Sequence, residues 1–555
     1  MAMKSSWKLV LLLVQICILL NPFGLWAGEG EQCPQGSGGQ QLEAADSQNS
    51  NDSVRLGEEM AEQAEVLLDQ GQVAEALVYG RKALFHAQAA MAFDLVFERQ
   101  WLLSRILTEM GRSDDALRLN QLAIESLRQV RAELLADDPK VFRNRIRPAY
   151  LDLIGLLLAK AESGDPGQRD ELLAQVVSAI EELRSDELKD YLKLSCLPAN
   201  DIDLVSLSRS EPDSAVLYLV DLPGQVAMVV VHGNTISSHK AEASARQIKA
   251  EAFLLAESVT DLARDYHPSA SRLYQWLLHP IQADLAGVDT LVIVPDGSTR
   301  SIPFAALIDR QGRHLVEHYA IVMNPGLSIA LPSEAQSFSG QRMFLGGISE
   351  AIEAFRAIPM VDEELQSLES SYPASRLQDN QFTVIQIEQQ LRSSDHPLIH
   401  LASHGKFSGD VDQSFLLTWD GRLNIGDLSR IVKVGEQRRQ AVDLIVLSAC
   451  STAAGDERAA LGLAGVALKA GARSAIASLW NVDDQATGEF FVNFYRTLQG
   501  GQGVTKAEAL RKAQLQFLDG SIRAEMNETA NPAVVPRDFS HPFFWAPFVL
   551  AGDWH

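Results

Sequence analysis

The chain has 555 residues, of which 46% are hydrophobic and 22% charged, and its formal net charge is −24. That length supports two or more domains with large cores, and the composition is globular rather than disordered or fibrous. The acidic balance, with no clustered basic stripe to offset it, excludes nucleic acid and anionic membrane as main partners, because phosphate binding wants an excess of Lys and Arg.

Residues 1–27 read as a secretory signal peptide. Lys4 and Lys8 make the positive start, Leu9 to Leu20 form an apolar run, and Asn21-Pro22 breaks it. Leu25-Trp26-Ala27 ahead of Gly28 gives a cleavage site, although Leu stands where a small residue is preferred. The apolar run is shorter than the roughly twenty residues that a membrane-spanning helix needs. No stable span is therefore expected after cleavage; a retained signal anchor is the alternative. The expected location is secreted or periplasmic, in a bacterium. Cleavage leaves Cys33, Cys196 and Cys450, so at least one thiol stays free. A Cys33–Cys196 bridge would leave Cys450 free, but sequence does not establish that pairing.

Residues 28–53 are rich in Gly, Gln, Ser and Asn and read as a flexible linker. From residue 54 to residue 196 the pattern is helical, and it repeats. Gly71, Ala76, Leu77 and Ala83 recur as Gly111, Ala116, Leu117 and Ala123, a period of 40 residues. Each copy reads as a helix ending near glycine, a short turn, and a second helix whose small Ala allows close packing. This is a tetratricopeptide-like hairpin with a period longer than usual. Helices over Val141 to Glu162 and Arg169 to Tyr191 would complete the stack, since two copies alone fall short of a stable solenoid. A generic helical bundle is the alternative.

From residue 214 to residue 555 the periodicity changes. Ala215 to Val220 and Val226 to Val231, joined by Pro223-Gly224, read as a β-hairpin. Strand-like runs follow at Leu291 to Val294, Met343 to Leu345, Leu398 to Leu401, Leu444 to Leu447 and Ser474 to Leu479. Helical patterns between them, including Val361 to Ser370 and Leu461 to Ala470, predict a mostly parallel sheet with helices on both faces. Gly346-Gly347 follows a strand but lacks a P-loop lysine, and no His, Cys and Asp spacing suggests a metal site, so no cofactor and no metal are expected.

Two of these runs end in chemistry. Leu398-Ile399-His400-Leu401-Ala402-Ser403-His404-Gly405 is a buried-strand pattern ending in His-Gly, and Leu444-Ile445-Val446-Leu447-Ser448-Ala449-Cys450 ends in a cysteine between small residues. The C-terminal edge of an open α/β sheet is where such folds place reactive groups. A histidine and a cysteine at matching strand ends are what a Cys/His peptidase dyad requires: the imidazole of His404 deprotonates the thiol of Cys450, and the thiolate attacks a carbonyl. Gly405 has no Cβ, so its backbone can approach a substrate closely. Ser403 and Ser448 are expected to hydrogen-bond within the fold. An acidic pair, Asp483 and Asp484, follows the strand ending near Trp480 and could select Arg or Lys before the scissile bond by charge pairing. Asp456 is a competing candidate, and helix capping by Asp483 or Asp484 is an equally good reading.

"HLASHG" and "LSACST" resemble the two catalytic motifs of CHAT domains, caspase-like peptidases often found behind tetratricopeptide repeats. "LVIVPDGSTRSIPFAAL", "GLAGVALKAGARSAIASLWNVDDQAT" and "HPFFWAPFVLAGD" are similar to further segments of that family, and the resemblance runs from about Ser214 onward. It implies an α/β caspase-hemoglobinase-like domain with a mostly parallel sheet, preceded by the all-α repeat domain, with His404 and Cys450 as the dyad. It also implies that the backbone N–H groups of Gly405 and Cys450 form the oxyanion site. The expected function is that of a cysteine endopeptidase whose repeats bind a protein substrate or regulator. A CHAT-like scaffold with little constitutive proteolysis, or a self-processing protein, are the alternatives.

Overall fold

The computed structural model describes residues 46–137, 140–193, 211–329, 337–407, 411–433, 442–448, 450–452, 471–501, 503–522 and 538–555. Cys33, Cys196, Asp456 and the segment 461–470 lie outside the described residues, as do 1–27.

Among the described residues, six α-helices precede the first strand: α1 (Asp46–Asp69), α2 (Val73–Ala89), α3 (Phe93–Glu109), α4 (Ser113–Asp137), α5 (Arg147–Ser163) and α6 (Arg169–Leu192). The 40-residue period is visible in the turns. Gly71 and Gly111 both adopt left-handed φ, +74° and +72°, where a Cβ would be strained. Their N–H groups bond to Leu68 O and Thr108 O, each at 2.9 Å, closing equivalent helix ends. Ala76 and Ala83 are buried in the first hairpin and Ala116 and Ala123 in the second, so small residues set the close helix spacing. The all-α region thus fits a helical repeat array. Helix α1 starts inside the segment 28–53 expected to be linker. Its far half is anchored by buried Ala61, Ala64 and Leu67, and once a helix is nucleated each added residue costs little.

Helix α6 is buried on nearly every face, charges included, because it lies between α5 and the sheet. Its charges are matched across the boundary. Arg184 Nη1 donates to Asp296 Oδ1 at 2.9 Å and to Glu187 Oε2 at 2.7 Å, Arg147 Nη2 donates to Asp296 Oδ2 at 2.8 Å, and Arg300 Nη1 donates to Glu187 Oε1 at 3.0 Å. Burial alone would raise the Asp296 carboxyl, but Arg184, Arg147 and Arg300 hold it well below its ordinary range. Burial likewise opposes ionisation of Glu187, and Arg300, Arg184 and Arg147 outweigh it to bring that carboxyl to about 2. Glu181 adds a clamp on the sheet side. It accepts from Tyr218 Oη at 2.7 Å, Leu327 N at 3.0 Å and Ser328 N at 2.8 Å. Buried charges are tolerated only when paired in this way.

The sheet has the strand order β3-β2-β1-β4-β5-β15-β14-β12-β8-β6-β7. Its members are β1 (Ser214–Leu222), β2 (Gln225–His232), β3 (Thr235–Lys240), β4 (Thr290–Val294), β5 (Ala320–Met323), β6 (Met343–Gly347), β7 (Ala374–Gln378), β8 (Leu398–Ala402), β12 (Val442–Leu447), β14 (Ala472–Ser478) and β15 (Phe548–Gly552). Pairing is parallel except at β1–β2, β2–β3 and β14–β15. The mostly apolar β4, β8 and β12 lie in the interior of the sheet and are buried along their whole length, as parallel strands covered on both faces are. The helices packed around it include α7 (Ala245–Thr260), α8 (His267–Leu277), α9 (Met360–Ser371), α10 (Val384–Ser393), α11 (Ile425–Lys433), α12 (Asp484–Gln499) and α13 (Lys506–Leu518). Gly346 and Gly347 serve packing within β6. A Cβ on Gly347 would meet Ala402 O and Val361 Cγ1 at 2.7 Å each. Among the described residues no helix is long and apolar enough to cross a membrane.

Candidate active site

The neighbours β8 and β12 run side by side in the sheet, with His400 opposite Val446 and Leu401 opposite Leu447. Beyond their ends the ladder persists, because Ser448 N donates to Leu401 O at 3.0 Å. Both chains then enter a second, four-stranded sheet, in the order β11-β10-β9-β13. Here β9 (Gly405–Phe407) pairs with β10 (Phe415–Thr418), which pairs with β11 (Gly421–Asn424), while β13 is Cys450–Thr452. The β9–β13 pairing is parallel, with Gly405 directly opposite Cys450. Adjacent strands lie about 4.8 Å apart, so the backbones of the His404-Gly405 and Cys450 segments are immediate neighbours. Of Cys450 the structure describes the backbone; its side chain lies outside the described residues.

His404 is half-buried and its ring is fixed on two sides. Its Nε2 lies 2.8 Å from the carbonyl oxygen of Arg356. A carbonyl can only accept, so Nε2 carries the proton and, in the neutral ring, Nδ1 carries the lone pair. Phe355 packs against the imidazole with ring centroids 5.2 Å apart. The backbone is held too, as Leu417 N donates to His404 O at 2.7 Å. Ser403 is fully buried and donates to Leu417 O at 2.7 Å. The hydroxyl of Ser448 is buried without a hydrogen-bond partner among the described residues, so the expected bond is found for Ser403 and not for Ser448.

The acidic pair divides. Asp483 is the N-cap of α12, its Oδ1 accepting from Ala486 N at 3.1 Å, which is the capping reading. Asp484, the next residue, is half-buried. Burial raises its carboxyl above the ordinary value, and Asp483 and Glu364 add to this, while Arg356 and His404 oppose it. Asp484 thus lies within electrostatic reach of His404 and Arg356, and Asp483 is committed to the helix.

Further groups around His404 escape a reading of the sequence. The Arg356 carbonyl is a backbone acceptor, for which no residue type is a signal. Glu364 on α9 accepts from or donates to His400 Nε2 at 2.8 Å, both groups being buried, and Tyr495 Oη lies 3.4 Å from His400 Nδ1. A histidine inside an apolar strand was the visible cue to that contact. Asp379 accepts from Ser349 at the start of the segment that carries Arg356.

The CHAT domain family matches residues 267–553, more than half of the chain, and the chain belongs to that family. Its described architecture is an all-α region followed by the mostly parallel sheet of an α/β domain. No curated protein matches the sequence. Two crystal structures of the Saccharomyces cerevisiae separase–securin complex are similar in structure, with TM-scores of 0.40 and 0.39 and 9% identity, each match covering 91% of this chain and 48% of that one. The chain therefore spans about half the length of those structures.

Proposed function

We propose that the protein is a cysteine endopeptidase with His404 and Cys450 as its dyad. The observation that carries this reading is the β9–β13 register, which sets Gly405 opposite Cys450 and leaves His404 one residue away with its Nε2 proton committed to Arg356 O. In the reaction, His404 Nδ1 takes the thiol proton of Cys450 and the thiolate attacks the scissile carbonyl carbon. The N–H groups of Gly405 and Cys450 receive the oxyanion, each such donor being worth about 3 kcal/mol. The imidazolium then protonates the leaving amine, and water, deprotonated by the same ring, releases the acyl group. Asp484 would line the pocket for the residue before the scissile bond and favour Arg or Lys. The helices, read as tetratricopeptide-like, would recruit a protein substrate or regulator, and residues 1–27 would direct the chain out of a bacterial cytoplasm. Incubating the purified full chain with a peptide library tests the dyad. Hydrolysis is expected that both Cys450→Ala and His404→Ala abolish, with similar, non-additive losses. Wild-type turnover in either variant refutes it. Intact mass from the native host tests export, since retained residues 1–27 would mean an anchor.

A second reading, a scaffold with little constitutive proteolysis, has one observation in its favour. Val78, Phe85, Met91 and Phe93, on and between α2 and α3, are each more than half exposed, as on a surface that binds another protein.

A further inference from the structure

The segment from Ile348 to Pro359 leaves β6, crosses His404 and enters α9. It gives His404 a side-chain hydrogen bond, through Arg356 O, and a ring contact, through Phe355. Its tip is a tight reversal. Ile352 and Phe355 exchange backbone hydrogen bonds of 3.1 and 2.8 Å, with Glu353 between them at a left-handed φ of +50°. This strap is closed at its base, because Ile358 N donates to Ser349 O at 3.0 Å and Ile348 N donates to Ala402 O at 3.0 Å. The base is in turn gripped by one carboxylate. Asp379 Oδ1 accepts from Ser349 N at 2.7 Å and Glu350 N at 3.2 Å, and its Oδ2 accepts from Ser349 Oγ at 2.8 Å and Gln378 Nε2 at 3.2 Å. Asp379 itself sits at a left-handed φ of +47°, a conformation that few residues other than glycine, asparagine and aspartate adopt, directly after β7.

We propose that Asp379 is a positioning residue for His404, holding the strap so that Arg356 O fixes the imidazole with Nδ1 free to act as base. The proposal rests on the dyad reading. Asp379 touches neither substrate nor the reacting atoms and acts through the strap. With the carboxylate gone, two backbone N–H groups and a hydroxyl lose their acceptor, and the strap can drift off the ring. A displacement of about 1 Å at such a contact can cost about a hundredfold in rate. The tautomer of His404 would no longer be set, and Cys450 would lose the imidazolium that stabilises its thiolate.

The test follows the alkylation of Cys450 by iodoacetamide across pH, read by peptide mass spectrometry on the folded full chain. In the wild type Cys450 should react well below the ordinary thiol midpoint of about 8.5, and His404→Ala should restore that ordinary midpoint. Asp379→Gly, which keeps the left-handed backbone unstrained, should slow Cys450 alkylation at neutral pH about tenfold and move its midpoint toward the His404→Ala value. Asp379→Asn retains an acceptor for both backbone donors and should recover most of the rate. Ser349→Ala, which removes only the hydroxyl donor, should give a smaller loss of the same kind and serves if Asp379→Gly does not fold. Identical profiles for wild type and His404→Ala would remove the dyad and this role with it. A shift in His404→Ala that neither Asp379→Gly nor Ser349→Ala reproduces would overturn the strap alone.

Discussion

Glu187→Gln isolates the charge of one carboxylate at the seam between α6 and the sheet while keeping its shape. Glu187 ionises at about 2 in the fold against an ordinary 4.5, because Arg300, Arg184 and Arg147 outweigh its burial. At 1.36 kcal/mol per pKa unit, that difference corresponds to about 3 kcal/mol favouring the charged form. Removing the charge leaves Arg184 and Arg300, 1% and 3% exposed, without one of their two shared anions. Breaking a buried pair from one side costs about 3–5 kcal/mol, so the two routes to the magnitude agree. The group's folded value is depressed, so its stabilisation is complete above 4.5 and is lost as pH falls from 4.5 toward 2. Urea unfolding of wild type and variant, followed by far-UV circular dichroism, should show a gap of about 3 kcal/mol at neutral pH. That gap should narrow in acid, where protonated Glu187 resembles glutamine. A variant as stable as wild type at neutral pH, or a gap unchanged at about pH 3, would refute the reasoning.

Asp484→Asn should reduce hydrolysis after Arg or Lys by about tenfold or more while sparing residues that carry no charge, measured as kcat/KM on matched peptides. Equal loss on both classes would place Asp484 outside the substrate pocket. Gly347→Ala should cost about 1–3 kcal/mol in thermal unfolding, because Ala402 O and Val361 Cγ1 stand 2.7 Å from the new methyl group. An unchanged melting temperature would show that β6 yields freely. His314, buried and 3.1 Å from Tyr266 Oη, has its pKa lowered chiefly by burial, with His267 adding and Glu317 opposing. The unfolded chain therefore takes up its proton first, and stability should fall as pH drops below about 6.5. His314→Gln should flatten that part of the acid slope in a pH series of urea midpoints.

Much of the fold was legible because parallel strands buried on both faces leave dense apolar runs. Leu398 to Leu401 and Leu444 to Leu447 read as strands, and the structure extends them only to Ala402 and back to Val442. The glycine-ended hairpins were legible because Gly71 and Gly111 mark the same left-handed turn. The small sheet was not, since strands such as Gly405–Phe407 and Cys450–Thr452 are too short to carry any periodicity. Edge strands hid for a different reason: β3, with the sequence Thr-Ile-Ser-Ser-His-Lys, is only half-buried and has no apolar signature. The start of α1 was misplaced because Ser, Asn and Asp suit linkers and helix N-termini alike. The hold on His404 was invisible because its acceptor is a peptide carbonyl, and the grip of Asp379 joins residues 30 positions apart through backbone donors.

Strand β15 has a consequence for how the molecule is made. In the sheet order it links β5, on the half that carries the hairpin and meets α6, to β14, on the half that carries His404 and the Cys450 strand. Every other strand of the sheet precedes it in sequence. During synthesis the two half-sheets therefore emerge first, each ending in an unpaired edge along β5 or β14. Such edges invite pairing with other chains, and contacts this distant in sequence form slowly. A nascent chain is thus exposed to misassembly until Phe548 to Gly552 emerge and insert.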